Sequence, residues 1–328
     1  MSRRNWRHQA AIGAGFVLSA FFLWLALRNV DGKSLGDAFA GIRYTPVMLC
    51  AGALSLGIML RAMRWRVIAG FPRAEQHNFS RATNLGILTN LIFPGRAGEF
   101  VRVITLAKLS NSSLPGPLAS ALIDRLVDVF VLLASASILY WLFPISALLE
   151  KWLTVFLVMG CVITLLVVLY ARSSGIGEAL IARLAKRWLQ RWPLKPEVFL
   201  AELRGEFHRL LGSWLSIKLV FLAALILCAD YGAIAALLLA FHLSLPAEAP
   251  LLLWVFLAAG SALPSAPGYV GIYQVAAVWA LSLFAISAPT AVAIATILQI
   301  TTLAVAIVMA GPGAMGIFKR MLLQKNPA

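Results

Sequence analysis

Apolar and polar positions alternate along this chain in long blocks. Runs near the roughly 20 residues that cross a hydrocarbon core fall at 10–27, 46–60, 115–143, 152–170, 213–240 and 288–310. They predict an all-α integral membrane protein with about six full transmembrane helices. The 46–60 run is short and is expected to extend through Trp65 toward Ala69. Two further stretches, 82–110 and 250–285, are apolar but interrupted in the middle by Pro and Gly.

The interruptions share a pattern. Pro94-Gly95-Arg96-Ala97-Gly98-Glu99-Phe100 and Pro267-Gly268-Tyr269-Val270-Gly271-Ile272-Tyr273 both read Pro-Gly-x-x-Gly-x-aromatic, 173 residues apart. At that offset 46–60 maps inside 213–240, and 115–143 overlaps 288–310. The chain therefore reads as a single membrane domain over 1–328 with two half-repeats, 46–143 containing hairpin 82–110 and 213–310 containing hairpin 250–285. Threaded from a cytoplasmic N-terminus with both hairpins re-entrant, the halves are inverted. This is the arrangement that marks a transporter's binding site.

Backbone that is not helical cannot face lipid, so such breaks survive only inside protein or beside a wet cavity. A helix restarting after Pro-Gly is expected to expose the N–H groups of its first turn, a ready anion site for which phosphate is the obvious guest. The alternative is that Pro and Gly only kink ordinary spans.

Charge sharpens the picture. Of 328 residues 61% are hydrophobic and only 12% charged, against about a quarter in soluble domains. The threading leaves only Arg28, Lys33, Arg43 and Lys151 of the 28 Lys and Arg outside, so both termini should be cytoplasmic. The net charge of +15 then describes a basic inner face against anionic headgroups in the cell (inner) membrane. Nucleic-acid binding is not expected, because the charge is spread over membrane loops. The segment 171–212 reads as a cytoplasmic connector: Leu180, Ile181, Leu184 and Trp188 share one helical face, and Arg183, Lys186, Arg187 and Arg191 dominate the rest. The N-terminal run is followed by Arg28 and Asn29, so it reads as a retained anchor.

Ionisable groups inside apolar stretches are the candidate chemistry. Arg96, Glu99 and Arg102 fall along one face of the restarted half-helix. Asp124 and Asp128, with Arg125, lie on the next span. The six formal charges cancel, so an ion network clamping the hairpin and a headgroup contact are both open readings. Arg61, Arg64 and Arg66, around Trp65, are expected to add uncancelled positive charge where a headgroup first docks, although plain interfacial anchoring accounts for Arg66. Asp230 lies alone in its run, as a proton carrier or the partner of a distant Arg. The second hairpin holds no charge and offers Gly268, Tyr269, Gly271, Tyr273 and Gln274. Cys50, Cys161 and Cys228 read as packing residues, and the four His are scattered without ligand spacing, so no metal or other cofactor is expected.

Arg61-x-x-Arg64-Trp65, Asn90 followed by Pro94-x-Arg96-x-Gly98-Glu99-x-x-Arg102, Asp124-Arg125-x-x-Asp128 and Pro264-x-x-Pro267-Gly268-x-x-Gly271 together resemble the transmembrane, flippase-like domain of lysylphosphatidylglycerol synthases, over about residues 10–320. The resemblance implies a lipid-translocating domain. The chain ends at Ala328, soon after the last run, so aminoacyl transfer is not expected and a free-standing relative is. Such a protein would carry an anionic phospholipid or an isoprenoid- or hopanoid-type lipid, alone, as a homo-oligomer or beside a lipid-synthesising enzyme. Two rival functions are a membrane-embedded enzyme using Glu99, Asp124 or Asp128 on a lipid-linked substrate, and an accessory subunit of a lipid-modifying complex.

Overall fold

The computed structural model describes residues 13, 17–28, 30–93, 96–142, 154–155, 158, 160, 162, 196–211, 214–262 and 267–323, with side chains of 142, 196 and 312–323 left aside. The expected connector 171–212 is described only from 196 onward, the expected span 152–170 only at isolated positions, and the expected span 10–27 mainly from 17; Pro94, Gly95, Cys161 and Pro264 lie outside the described residues.

Among the described residues all regular structure is helical. The helices are α1 (Val17–Leu27), α2 (Gly32–Ala40), α3 (Tyr44–Ile68), α4 (Gln76–Ile92), α5 (Ala97–Leu109), α6 (Pro115–Leu142), α7 (Pro196–Leu210), α8 (Trp214–Ala240), α9 (Glu248–Ser261), α10 (Ile272–Ser282) and α11 (Ala288–Leu323). Short 3-10 turns at Arg73–Glu75 and Pro267–Tyr269 precede α4 and α10. Among the described residues three helices are long and apolar enough to cross a membrane: Tyr44–Ile68, Trp214–Ala240 and the Ala288–Gly311 part of α11, which breaks where Gly311 takes φ +62°. The 46–60 run does extend to Ile68, and of the expected span 115–143 the residues Pro115–Leu142 form one helix.

The ends of these helices follow from sequence. Pro46, Pro115, Pro117, Pro196, Pro250 and Pro289 all sit in first turns, where the missing N–H loses no helical bond. Three C-termini close in the left-handed region on Asn111, His242 and Ala285. In each, the next amide reaches back five residues, Ser112 to Ala107, Leu243 to Leu238 and Ile286 to Leu281, which satisfies an end carbonyl. The His242 ring also contacts the Gly41 carbonyl at 3.1 Å, a fold-closing use for that histidine.

The chain forms two compact units. The first comprises Met1–Ile58, Thr83–Arg102 and Leu227–Ala328, the second Met59–Ala82 and Val103–Ile226. In the first, Ala26, Val275 and Val292 form a core joined by Phe22, Leu25, Leu35 and Val278. In the second, α7 lays Leu200, Leu203 and Leu210 against Val67, Ile68, Ala119, Ile123, Leu219 and Leu222. Arg209 on the same helix donates to the Val67 and Ile68 carbonyls at the end of α3, where a cation also suits the helix dipole. Burial pushes the Glu206 carboxyl above its ordinary range, against the opposing pull of Arg209.

Candidate functional site

In the second unit the charged side chains close on one another. Arg64 is 1% exposed. Its Nε donates to Asp124 Oδ1 at 2.8 Å and its Nη2 to Asp128 Oδ1 at 2.5 Å, and Arg125 holds the other oxygen of Asp128 at 2.8 Å. The i, i+4 spacing of the two aspartates puts both on one face of α6, so one guanidinium spans them. The expectation that Arg64 brings uncancelled charge to an interface is therefore corrected: two carboxylates neutralise it inside the unit. Trp65 is likewise fully buried. Its indole donates to Ser120 Oγ at 3.1 Å and packs edge-on to Phe79, ring centroids 5.1 Å apart. Arg66 is held by Gln76 Oε1 at 2.7 Å and the Phe71 carbonyl at 3.0 Å. Arg61 is half-buried.

The first unit holds both interruptions. The arms of the first, α4 and α5, touch backbone to backbone: a Cβ on Gly98 would overlap the Gly86 carbonyl, and one on Gly86 would overlap the Gly98 carbonyl. Only glycine at both positions permits that crossing. Asn90 reaches across the break, its Oδ1 accepting from Gly98 N at 2.7 Å, and Glu99 N bonds the Arg96 carbonyl at 3.2 Å. Glu99 and the buried Arg102 pair at 3.0 Å.

The second interruption is laced by carboxamides. Gln274 Oε1 accepts from Gly271 N at 2.8 Å. Gln274 Nε2 donates to Gln299 Oε1 at 2.6 Å, and Gln299 Nε2 donates to the Gly268 carbonyl at 2.7 Å. Gly268 and Gly271 have φ of +66° and +86°, which explains their identity. A Cβ on Gly271 would also strike the α1 backbone at Ser19. Tyr269, at φ +60°, stacks on Tyr273 with centroids 5.1 Å apart. A bulky residue held in that region is strained and needs surrounding contacts to keep it there.

These caps narrow the expectation of bare amide ends: at each break one amide, Gly98 N in the first turn of α5 and Gly271 N at the residue before α10, is taken by a side-chain carboxamide, Asn90 and Gln274. Asn90 was legible as a candidate. Gln299, 31 residues from Gly268, was not.

The structure also brings the two interruptions together. Arg96 Nη2 donates to Ser261 Oγ at 3.1 Å. Space for a Cβ at Gly268 ends 3.5 Å from the Leu91 carbonyl. Arg96 is exposed and takes φ +55°. It has no carboxylate partner among the described residues, whereas Arg64, Arg102 and Arg125 each have one. Asp230 is buried and accepts from the indole of Trp254 at 3.0 Å, a neutral donor that sequence did not suggest. Among the described residues no group of three or more His, Cys, Asp or Glu gathers as metal ligands would.

Comparison with known proteins gives one family. The family described as "Lysylphosphatidylglycerol synthase TM region" matches residues 12–310. No curated protein and no solved structure matches the chain.

Proposed function

Because the chain belongs to the lysylphosphatidylglycerol synthase TM region family and is thus a membrane protein of lipid-related function, we propose that it moves a lipid with a phosphate-containing headgroup between leaflets. In this reading six helices span the inner membrane with both termini cytoplasmic. The segments 82–110 and 250–285 dip into the bilayer from opposite faces, as halves of an inverted repeat. The headgroup enters a chamber at the junction of the two breaks while its acyl chains stay in lipid.

The observation that carries the reading is Arg96. It stands at that junction and, among the described residues, has only a hydroxyl for a partner. A cation at membrane depth without a counter-charge is costly and implies an anionic guest or water. Phosphate suits a guanidinium's planar fork of donors. Tyr269 and Tyr273 add phenols beside the second break. The buried Arg64 network contributes rigidity in this account, and its carboxylates are already engaged, which disfavours their use as a catalytic base.

The test is leaflet transfer of fluorescent phospholipids in proteoliposomes. The protein should speed transfer well above that in empty vesicles. Transfer no faster than in empty vesicles for both phospholipid and isoprenoid-phosphate probes would overturn the proposal.

A further inference from the structure

We infer that Ser261 is an internal competitor for the headgroup: its hydroxyl holds Arg96 in the empty site, and an anionic phosphate oxygen displaces it. The inference rests on Arg96 being the headgroup contact. Ser261 closes α9, immediately before the second break, and Arg96 opens the turn into α5, immediately after the first. Their hydrogen bond at 3.1 Å is thus a bridge between the two interrupted segments.

The bridge is built to be replaceable. Ser261 Oγ donates its own proton to the Ala258 carbonyl at 2.8 Å, which turns a lone pair toward the guanidinium. A guanidinium held by one neutral oxygen exchanges it readily for a phosphate, because the phosphate adds charge–charge attraction and can take two parallel N–H donors of the planar fork. The contact is exposed, so displacement needs no core rearrangement. On exchange the Arg96–Ser261 bridge opens and the two breaks are tied there only through the headgroup. Ser261 therefore sets both the affinity of the site and the contact that loading releases. A neutral headgroup oxygen gains nothing over the serine, which makes the serine a filter for anionic lipids.

The experiment titrates short-chain phosphatidylglycerol into the detergent-solubilised full chain, with diacylglycerol as the uncharged control, and reads the thermal midpoint. Ser261→Ala should raise phosphatidylglycerol affinity about fivefold, the factor one typical net hydrogen bond represents. Diacylglycerol should gain nothing. Ser261→Thr keeps the hydroxyl and should behave as wild type. Ser261→Asp supplies a permanent carboxylate to Arg96 and should abolish the response. Inorganic phosphate giving the same fivefold gain in Ser261→Ala would assign the competition to the phosphate group itself; a gain confined to the lipid would assign it to the whole headgroup and chains. An unchanged affinity in Ser261→Ala, with wild type responding normally, overturns the competitor role and leaves the headgroup site standing. Absence of any phosphatidylglycerol response in wild type overturns the anionic headgroup site as well.

Discussion

Arg64 and Arg96 are the same residue type, each set in a largely apolar stretch of the sequence, and the structure treats them oppositely. Arg64 is buried between Asp124 and Asp128. Arg96 is exposed and meets Ser261. The first belongs to an ion network in which its charge is already matched by two carboxylates. The second has its charge unmatched among the described residues. A charged residue in a membrane segment is thus read from its partners, since both of these satisfy the sequence criterion for a functional site.

The comparison breaks first at Arg64. Arg64→Ala takes the guanidinium from the buried Asp124, while the half-buried Asp128 keeps Arg125, and losing one partner of a buried ion pair typically costs about 3–5 kcal/mol. Thermal unfolding in detergent should fall sharply, with Arg64→Lys falling less. An unchanged midpoint would show the network to be dispensable and would remove the contrast with Arg96.

Gly98→Ala tests the crossing that carries Arg96. The added methyl collides with the Gly86 carbonyl, and overpacking of this kind costs about 1–3 kcal/mol. Both stability and lipid transfer should drop. Retained transfer would mean that close contact between α4 and α5 is not needed to place the arginine.

Asn90→Ala is milder. It strips the side chain that accepts from Gly98 N, a loss of about 1 kcal/mol by analogy with helix N-caps. Its unusual consequence is to bare an amide beside Arg96. Phosphatidylglycerol should therefore protect the variant against heat at least as well as it protects wild type. Weaker protection would mean that Asn90 itself touches the headgroup.

Much of this was legible in the residues. Pro94-Gly95 and Pro267-Gly268 announced both interruptions, and apolar length announced α3, α8 and α11. The partners were not legible. Arg64 meets Asp124 60 residues away, and Arg96 meets Ser261 165 residues away, distances at which periodicity carries no information. Sequence grouped Arg96, Glu99 and Arg102 with Asp124, Arg125 and Asp128 because their charges cancel. Cancellation in a list says nothing of who pairs with whom: Glu99 pairs with Arg102 inside the first unit, and Arg64 supplies the cation for the two aspartates. The same limit explains the capped amides. An amide at a restarted helix can be capped by a nearby side chain, as Asn90 of α4 caps Gly98 N and Gln274 of α10 caps Gly271 N, through contacts that Pro-Gly spacing alone could not disclose.

The smallest expected effect on stability belongs to Arg96→Gln, an exposed substitution that should shift unfolding by no more than about 0.5 kcal/mol. It also carries the account's central claim. Leaflet transfer of phosphatidylglycerol by Arg96→Gln in proteoliposomes, measured beside its unfolding midpoint, should fall to the empty-vesicle rate while the midpoint stays that of wild type. Wild-type transfer by this variant would contradict the account.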